Sequence, residues 1–273
     1  PVQMKRPINR APLAFTTLFP LPKRTRSKKP NTRMAERFHQ QNVQSSFESF
    51  FEAWLSRQQS FVDQLLTLSL TADSPLKMEQ MNALIHQVLS HYQQYFQEKS
   101  RLTDADVFLI FSPTWLTSYE RALLWIADFK PSLVLRLVDG AVEDLSPEQK
   151  VTLERIGEDT RRQERAVMGA MASVQEILGG PSWQRLARRV GRLMDGEIDE
   201  LDAAMEMLKN AMMGVLEKAD ELRVSTARKA VEILRPSQTV QFLAAAAQFQ
   251  LRVRSLGTRL DSRFREDRAS AQS

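Results

Sequence analysis

The sequence contains no cysteine and is poor in histidine, tyrosine and glycine. Among 273 residues there are three His, three Tyr and nine Gly. The lack of cysteine excludes disulfides, thiolate metal sites and a cysteine nucleophile. No apolar run approaches the roughly 20 residues that a membrane-spanning helix needs, since the longest candidate is the short segment FLAAAAQF. Hydrophobic residues make up 42% and charged residues 26%, which is typical of a globular protein.

The sequence also lacks the residue patterns on which catalysis usually depends. His86 and His91 are five residues apart, whereas two metal ligands on one helical face prefer a spacing of three or four. The third histidine, His39, stands alone, and Gly179-Gly180 precedes proline rather than the Lys-Ser/Thr of a phosphate-binding loop. Isolated histidines on amphipathic helices are usually structural and hydrogen-bonded. We therefore expect no enzyme, no metal site and no cofactor.

Charge is divided unevenly along the chain. Residues 1–33 hold nine Lys or Arg, no acidic residue and six of the twelve prolines, whereas the rest holds 29 basic and 33 acidic residues. A basic, proline-rich, aperiodic segment is typical of disorder, so residues 1–43 are predicted to be a disordered tail. The run KRTRSKK suits a nuclear-localisation patch, a targeting peptide or a solvated tail, and Met34 is a candidate native start. The mildly acidic remainder makes a poor non-specific binder of nucleic acid.

Helical periodicity dominates after Met34, and no alternating run is long enough to predict a strand. The fold class is therefore all-α, a multi-helix bundle of long amphipathic helices. The first helix should run from about Ser45 to Leu70, and Ser74-Pro75 has the form of a cap followed by the first helical residue.

Later helix boundaries are marked by capping boxes and by glycine and proline. The capping boxes are TSYE at 117–120 and SPEQ at 146–149. The helix after TSYE is expected to continue through Leu123, Leu124 and Ile126. GGPS at 179–182 is the clearest break, and a second interruption is expected near LRVSTA at 222–227.

Three internal features are candidates for function. The aromatic residues of the first helix, with Trp115 and Trp125, are suited either to a core or to an interface. Methionines suit an adaptable binding surface or the gaps of a bundle core, and seven of the eleven are Met168, Met171, Met194, Met205, Met207, Met212 and Met213. Arginines on one helical face could bind an acidic or phosphorylated partner, or could simply be solvated; they are Arg185, Arg188, Arg189 and Arg192.

The C-terminal segment reads as a basic amphipathic helix. Its apolar stripe comprises Phe249, Val253, Leu256, Leu260 and Phe264, and its charge comes from arginines that include Arg252, Arg259 and Arg263. Such a helix suits a calmodulin-like partner, an anionic membrane surface or docking onto its own bundle. We expect docking up to about residue 256 and a mobile end over 257–273.

The order of five motifs resembles the plant delay-of-germination domain, which also follows the zipper of TGA-type bZIP transcription factors. The motifs are FESFFEAWLSRQQSFVDQLL at 47–66, HYQQYFQEKS at 91–100, DVFLIFSPTW at 106–115, YERALLWIADFKPS at 119–132 and LSPEQ at 145–149. The resemblance covers about residues 44–256. It assigns the core and motif positions to Phe47, Phe51, Trp54, Leu55, Tyr92, Trp115, Glu120, Trp125 and Pro131.

This resemblance implies a non-enzymatic helical regulator of the type linked to seed dormancy, abscisic-acid signalling and developmental control. The partners it implies are proteins, with protein phosphatases or bZIP factors as candidates, in the nucleus or the cytoplasm; the basic C-terminal helix adds calmodulin as a candidate. The alternative is a transcription regulator associated with DNA directly or through a bZIP partner. The first 44 residues contain no basic helix followed by leucine heptads, so direct DNA contact is uncertain. Haem binding through histidine is associated with the family, but no histidine follows His91, so haem is not expected.

The aromatic stripe of the first helix should then be covered mainly by the other helices of the chain. One edge, including Phe50 and Phe61, is predicted to remain for a partner. The predicted partner-binding residues are therefore Phe50, Phe61, Arg185, Arg188, Arg189, Arg192, Arg252, Arg259 and Arg263.

Overall fold

The chain is described by a computed structural model that covers residues 33–70, 74–189 and 195–270. Within those ranges it forms nine helices and no strand, which confirms the all-α prediction. The helices are α1 (Arg33–Leu70), α2 (Pro75–Ala105), α3 (Val107–Phe111), α4 (Ser118–Ala122), α5 (Ser132–Ala141), α6 (Pro147–Gly179), α7 (Pro181–Arg189), α8 (Asp195–Ile233) and α9 (Pro236–Ser270). Residues 1–32 of the predicted tail, Arg192 and Met194 lie outside the described ranges. Helix α1 starts earlier than expected and already includes residues 33–43.

Helices α2, α4 and α6 begin at the capping residues that the sequence predicted. The Ser74 side chain accepts a hydrogen bond from the backbone N–H of Lys77 at 3.1 Å, directly ahead of α2. Thr117 and Ser146 form complete capping boxes at the starts of α4 and α6. Each box satisfies helix-end N–H groups that would otherwise lack partners.

Three apolar clusters hold the helices together. One joins α2, α5 and α9 around Val88, Val138 and Val240, and a second joins α6 to α8 around Val167 and Val215. The third gathers the aromatic residues of α1, with Phe47, Phe51 and Trp54 packed against α2, α3 and α8. Burial of this apolar surface is the main favourable term in folding.

Two further predictions of helix boundaries are wrong. Helix α4 ends at Ala122, and the residues after it form a tight turn in which Trp125 N–H donates to Asp128 O at 2.7 Å. Ile126 and Ala127 have positive φ angles of 45° and 63°, which is uncommon for residues with side chains. The expected interruption at 222–227 is absent, because α8 is continuous from Asp195 to Ile233.

Candidate functional site

Helices α1 and α2 meet along a seam in which an indole stacks on an imidazole. Trp54 is fully buried, and its ring lies 4.5 Å from the ring of His91 with only 6° between the planes. The indole N–H donates to the backbone carbonyl of His91 at 3.0 Å. Phe61 packs against the same imidazole with its centroid 5.1 Å away. The imidazole is therefore fixed in orientation by aromatic neighbours.

The two ring nitrogens of His91 lack hydrogen-bond partners among the described residues. Only 3% of the residue is exposed. Burial, together with the positive charge of Arg57, lowers the pKa of His91 from 6.5 to about 4. At neutral pH the ring is consequently uncharged, with one N–H donor and one bare nitrogen acceptor. Most buried polar groups in proteins are paired, so this unpaired ring distinguishes the seam.

An open groove of about 390 Å³ runs beside this imidazole. Helix α1 contributes Arg57 and Phe61 to the groove, and α2 contributes its remaining lining residues, which are His86, Gln87, Ser90, His91 and Gln94. None of the lining residues is acidic. The groove therefore combines one permanent positive charge, several neutral polar groups and one aromatic wall.

A second buried polar centre lies further along α2 and is fully partnered. Lys99 is 2% exposed, and its ammonium donates to Asp128 at 3.1 Å and to Asp220 at 2.8 Å. Arg223 pairs with Asp220 as well. We call Lys99, Asp128, Asp220 and Arg223 the ion cluster. The Tyr95 hydroxyl also donates to Asp128, at 3.1 Å.

The ion cluster fixes the turn that replaces the predicted helix after Ala122. Arg223 donates to the backbone carbonyls of Trp125, Ile126 and Phe129. Burial acts to raise the pKa of Asp128, but Lys99 and Arg223 outweigh it and hold that pKa below its ordinary value. Burial raises the pKa of the Tyr95 hydroxyl well above its ordinary value. Asp128 thus stays ionised and Tyr95 stays protonated, as this hydrogen-bond pattern requires.

A third polar contact joins α4 to α9. Glu120 accepts a hydrogen bond from Arg254 at 2.9 Å, while Arg254 also donates to the Trp115 carbonyl at 2.7 Å. Gly257 lies so close to α4 that an added Cβ would fall 2.1 Å from the Thr117 hydroxyl oxygen. The glycine therefore permits an approach that no larger residue would allow without rearrangement.

The motif residues of the sequence lie mainly inside the molecule. Phe47, Phe51, Trp54, Glu120 and Pro131 are buried, whereas Leu55, Tyr92, Trp115 and Trp125 are half-buried. The motif residues therefore pack inside the fold. Two of them, Trp54 and Tyr92, contact each other at the α1–α2 seam.

The predicted partner-binding residues are dispersed rather than joined into one surface. Phe61 lines the groove, and Phe50 is half-buried against the aromatic cluster of α1. Arg185 and Arg188 are exposed on α7, but the side chain of Arg189 is not among those described. Exposed arginines also lie along α9, namely Arg252, Arg259 and Arg263. Their partner-binding role stays a prediction.

Sequence reasoning missed the ion cluster and the groove between α1 and α2. The ion cluster joins residues 29 and 121 positions apart in the chain, and no local pattern announces such a contact. The signal for the groove was present only as a histidine on the buried face of α2, which is normally a structural residue. In the described part of the chain, no group of three or more His, Asp or Glu side chains is placed to hold a metal ion. Nor does any helix there have the length and apolarity of a membrane span.

Comparison with known proteins identifies the relatives of this chain. A family model described as seed dormancy control (DOG1) matches residues 63–139. Protein ZW2 of Arabidopsis thaliana is 42% identical over 219 residues, which cover 78% of this chain and 96% of that protein. The Arabidopsis protein RESPONSE TO ABA AND SALT 1 is 42% identical over 77% of this chain and 94% of its own length. Transcription factor TGA7 is 31% identical over 78% of this chain but only 56% of its own length.

Proposed function

The chain belongs to the seed-dormancy-control (DOG1) family, and we propose that it is a non-enzymatic plant regulator that acts by binding partner proteins. The observation that carries the proposal is the similarity to RESPONSE TO ABA AND SALT 1 across nearly all of that protein. The proposed process is accordingly a response to abscisic acid or salt, or the control of dormancy. The family resemblance of the motifs supports the same role.

Surface features of the described residues are consistent with partner binding. On α9, Leu256 and Phe264 are 38% and 64% exposed, and they lie among the exposed arginines Arg252, Arg259 and Arg263. A basic helix with exposed apolar residues fits a calmodulin-like groove. Protein phosphatases and bZIP factors are the other proposed partners, and the nucleus and cytoplasm are the proposed compartments.

Genetic replacement tests the regulatory role. The full chain would be expressed in an Arabidopsis thaliana line that lacks RESPONSE TO ABA AND SALT 1, and germination would be scored on abscisic acid and on salt. We expect the chain to restore the parental response. A Trp54→Ala variant, which removes a fully buried indole and is therefore destabilised, should restore it less well. If the line that produces the intact chain germinates like the line that lacks RESPONSE TO ABA AND SALT 1, at matched protein levels, the proposal is contradicted.

Protein capture tests the mode of action in the same plants. Proteins bound to the tagged chain would be identified with and without nuclease treatment. We expect phosphatases or other signalling proteins to remain bound after nuclease, and each would then be checked by titration with purified components. Restoration of germination without any direct protein partner would contradict action through protein contacts.

A second candidate function is transcription regulation through a bZIP partner, and the similarity to TGA7 favours it. Titration of the chain with double-stranded DNA at two salt concentrations separates the two mechanisms. Direct binding should weaken steeply with salt, because it depends on phosphate contacts. If the chain binds DNA only when a bZIP factor is present, the transcription role is indirect. Strong salt-dependent binding by the chain alone would favour direct contact.

A further inference from the structure

We propose that Ser262, near the end of α9, is phosphorylated by a protein kinase that recognises an arginine three residues before its target. The kinase transfers the γ-phosphoryl group of ATP to the Ser262 hydroxyl oxygen, ADP leaves, and the hydroxyl proton passes to the catalytic aspartate of the kinase. The site does not depend on the proposed regulatory role, because it follows from the sequence and the exposure of α9.

The first observation is the arginine that precedes the serine. Kinases choose substrates partly by the charge pattern around the target hydroxyl, and Arg259 lies three residues before Ser262. Within the described ranges, three other hydroxyl residues share this spacing, namely Ser60, Thr226 and Ser255. Ser255 also has Arg254 directly before it, so the charge pattern alone favours Ser255 over Ser262.

The second observation is that two of the competing hydroxyls lie on packed stretches of helix. Thr226 is 1% exposed, and its hydroxyl lies 3.2 Å from that of Thr160. Ser60 is exposed but lies between Gln58 and Val62 of α1, which are both buried. A kinase could accept these two residues only after a packed part of the fold had opened.

The third competitor, Ser255, is exposed, but its neighbours hold this part of α9 on the rest of the chain. Val253 and Gly257 are buried on either side of it. Arg254 donates a hydrogen bond to Glu120 of α4 at 2.9 Å. Unwinding of α9 around Ser255 would break these contacts, so local opening there is costly.

The exposure of α9 beyond Gly257 sets Ser262 apart. Gly257 is the last buried residue described in this helix, and every residue from 262 to 270 is exposed. Leu260 and Asp261 are half-buried, and Asp261 accepts a hydrogen bond from a backbone N–H at the start of α4 at 3.2 Å. Helix ends that bury little surface unfold locally at small cost in free energy. Ser262 therefore lies where α9 can unwind and enter a kinase as an extended chain.

Arginines on both sides of Ser262 can hold the phosphate. Arg259 and Arg265 lie three residues before and after it, a spacing that makes side chains neighbours on a helix. A phosphate brings about two negative charges and three acceptor oxygens, which suit the guanidinium fork. Glu266 is the one acidic residue four positions away, and the two arginines outweigh it. Because Arg259 and Arg263 are also predicted partner contacts, phosphorylation would control those contacts; this consequence, unlike the site, rests on the proposed function.

Site-resolved phosphorylation of the full chain tests the proposal. The probe is the catalytic subunit of cyclic-AMP-dependent protein kinase, an arginine-directed kinase, with ATP, and mass spectrometry follows the initial rate at each hydroxyl. We expect Ser262 to be phosphorylated at least about tenfold faster than Ser255 or Ser60, which corresponds to about 1.4 kcal/mol in the free energy of local opening. Ser27 also follows an arginine by three positions but lies outside the described residues, so it is replaced by alanine in every protein.

Matched arginine variants separate recognition from exposure. Arg259→Gln should slow the phosphorylation of Ser262 by about tenfold or more, because the kinase loses a charge-assisted contact. Arg252→Gln is the control, since it removes the corresponding arginine of Ser255 and should leave the rate at Ser262 unchanged. Faster phosphorylation of Ser255 than of Ser262, no modification of Ser262, or an unchanged rate in Arg259→Gln would overturn the proposal.

Phosphorus nuclear magnetic resonance of the phosphorylated chain tests the pairing. The second pKa of phosphoserine is about 6, and a neighbouring arginine lowers that pKa because it favours the doubly charged form. Arg265→Gln keeps the arginine that the kinase recognises, and it should raise the phosphate pKa by about 0.2 to 0.7. Arg268→Gln, six residues beyond Ser262, is the control and should leave the phosphate pKa unchanged. The same phosphate pKa in the parent and in Arg265→Gln would exclude the pairing.

Discussion

Two of the buried polar side chains of helix α2, His91 and Lys99, have sharply different surroundings. Lys99 is charged, and it reaches two carboxylates within 3.1 Å. His91 is neutral at ordinary pH, stacks on Trp54, and has no partner for either ring nitrogen among the described residues. The two residues lie on the same helix and are almost equally buried, at 3% and 2% exposure.

The difference separates buried polar groups that join parts of the fold from one whose ring nitrogens have no partner among the described residues. The ion cluster joins α2, α8 and the turn after α4, so its removal would release three parts of the chain. Within the described part of the chain, the imidazole of His91 makes no hydrogen bond that holds an element in place. Replacement of Lys99 by an uncharged residue should therefore lower the free energy of unfolding, whereas replacement of His91 by an apolar residue should not. Four measurements test this contrast.

The largest effect is expected for Lys99→Ala. The substitution removes the ammonium that pairs with Asp128 and Asp220, two largely buried carboxylates, and among the described residues it leaves Arg223 as the cation of the ion cluster. We expect the free energy of unfolding to fall by about 3–5 kcal/mol, as for other broken buried ion pairs. Urea denaturation followed by circular dichroism measures this change.

Arg101→Ala is the control for that experiment, because it breaks an exposed ion pair on the same helix. Exposed pairs of this kind contribute between about 0.2 and 1 kcal/mol. A similar loss of stability in the two variants would show that burial of the ion cluster has no special importance.

The second effect concerns pH. The pKa of His91 is lowered to about 4 in the folded chain from an ordinary value of 6.5, so the unfolded chain binds the proton first as the pH falls. Stability from this residue is therefore complete above about pH 6.5 and is lost between about pH 6.5 and pH 4. We expect a loss of about 3 kcal/mol, because each pKa unit corresponds to about 1.4 kcal/mol and the pKa differs by about 2.5 units between the unfolded and folded chain.

Asp128 should respond in a different pH range. Its pKa is held below the ordinary value of 3.8, so its contribution is lost only as the pH falls further, through the folded-state pKa. Denaturation of the parent and of His91→Phe at about pH 7 and about pH 4.5 isolates the histidine. The same loss of stability in both proteins would assign the pH dependence to other groups.

Local features of the fold were predictable from the sequence, and the long-range contacts were not. The boxes opened by Thr117 and Ser146 involve residues three positions apart, so their pattern was enough to predict them. The apolar residues Leu123 and Ile126, three positions apart, also suited a helix, but Arg223 binds the carbonyls at that point and favours a turn. Tertiary contacts of this kind outweigh local helix preference.

The same reasoning explains what was missed at the groove. The sequence placed His91 on the buried face of a helix, and that placement predicts a hydrogen-bonded structural residue. Whether its nitrogens find partners depends on which side chains of α1 face it. Trp54 and Phe61 present aromatic rings there, and neither accepts or donates a hydrogen bond at the imidazole nitrogens.

The third effect is expected for Tyr92→Phe. Tyr92 lies at the same seam as His91, but its polar group has a partner. The Tyr92 hydroxyl accepts a hydrogen bond from the Gln58 amide at 2.6 Å. Its removal should lower the free energy of unfolding by about 1 kcal/mol, the usual net value of one hydrogen bond. Urea denaturation at neutral pH measures the change, and an unaltered stability would show that the bond is formed equally well with water.

The smallest effect is expected for His91→Phe at neutral pH. Phenylalanine keeps a ring that can stack on Trp54 and eliminates two nitrogens that have no partner in the described structure. Replacing an unsatisfied polar group by an apolar group of similar shape is nearly neutral or stabilising, so we expect the free energy of unfolding to stay the same or rise by up to about 1 kcal/mol. The comparison is with Tyr92→Phe, which makes the adjacent residue equally apolar. If His91→Phe were the more destabilised of the two, the imidazole would have a structural partner, and the contrast with the ion cluster would fail.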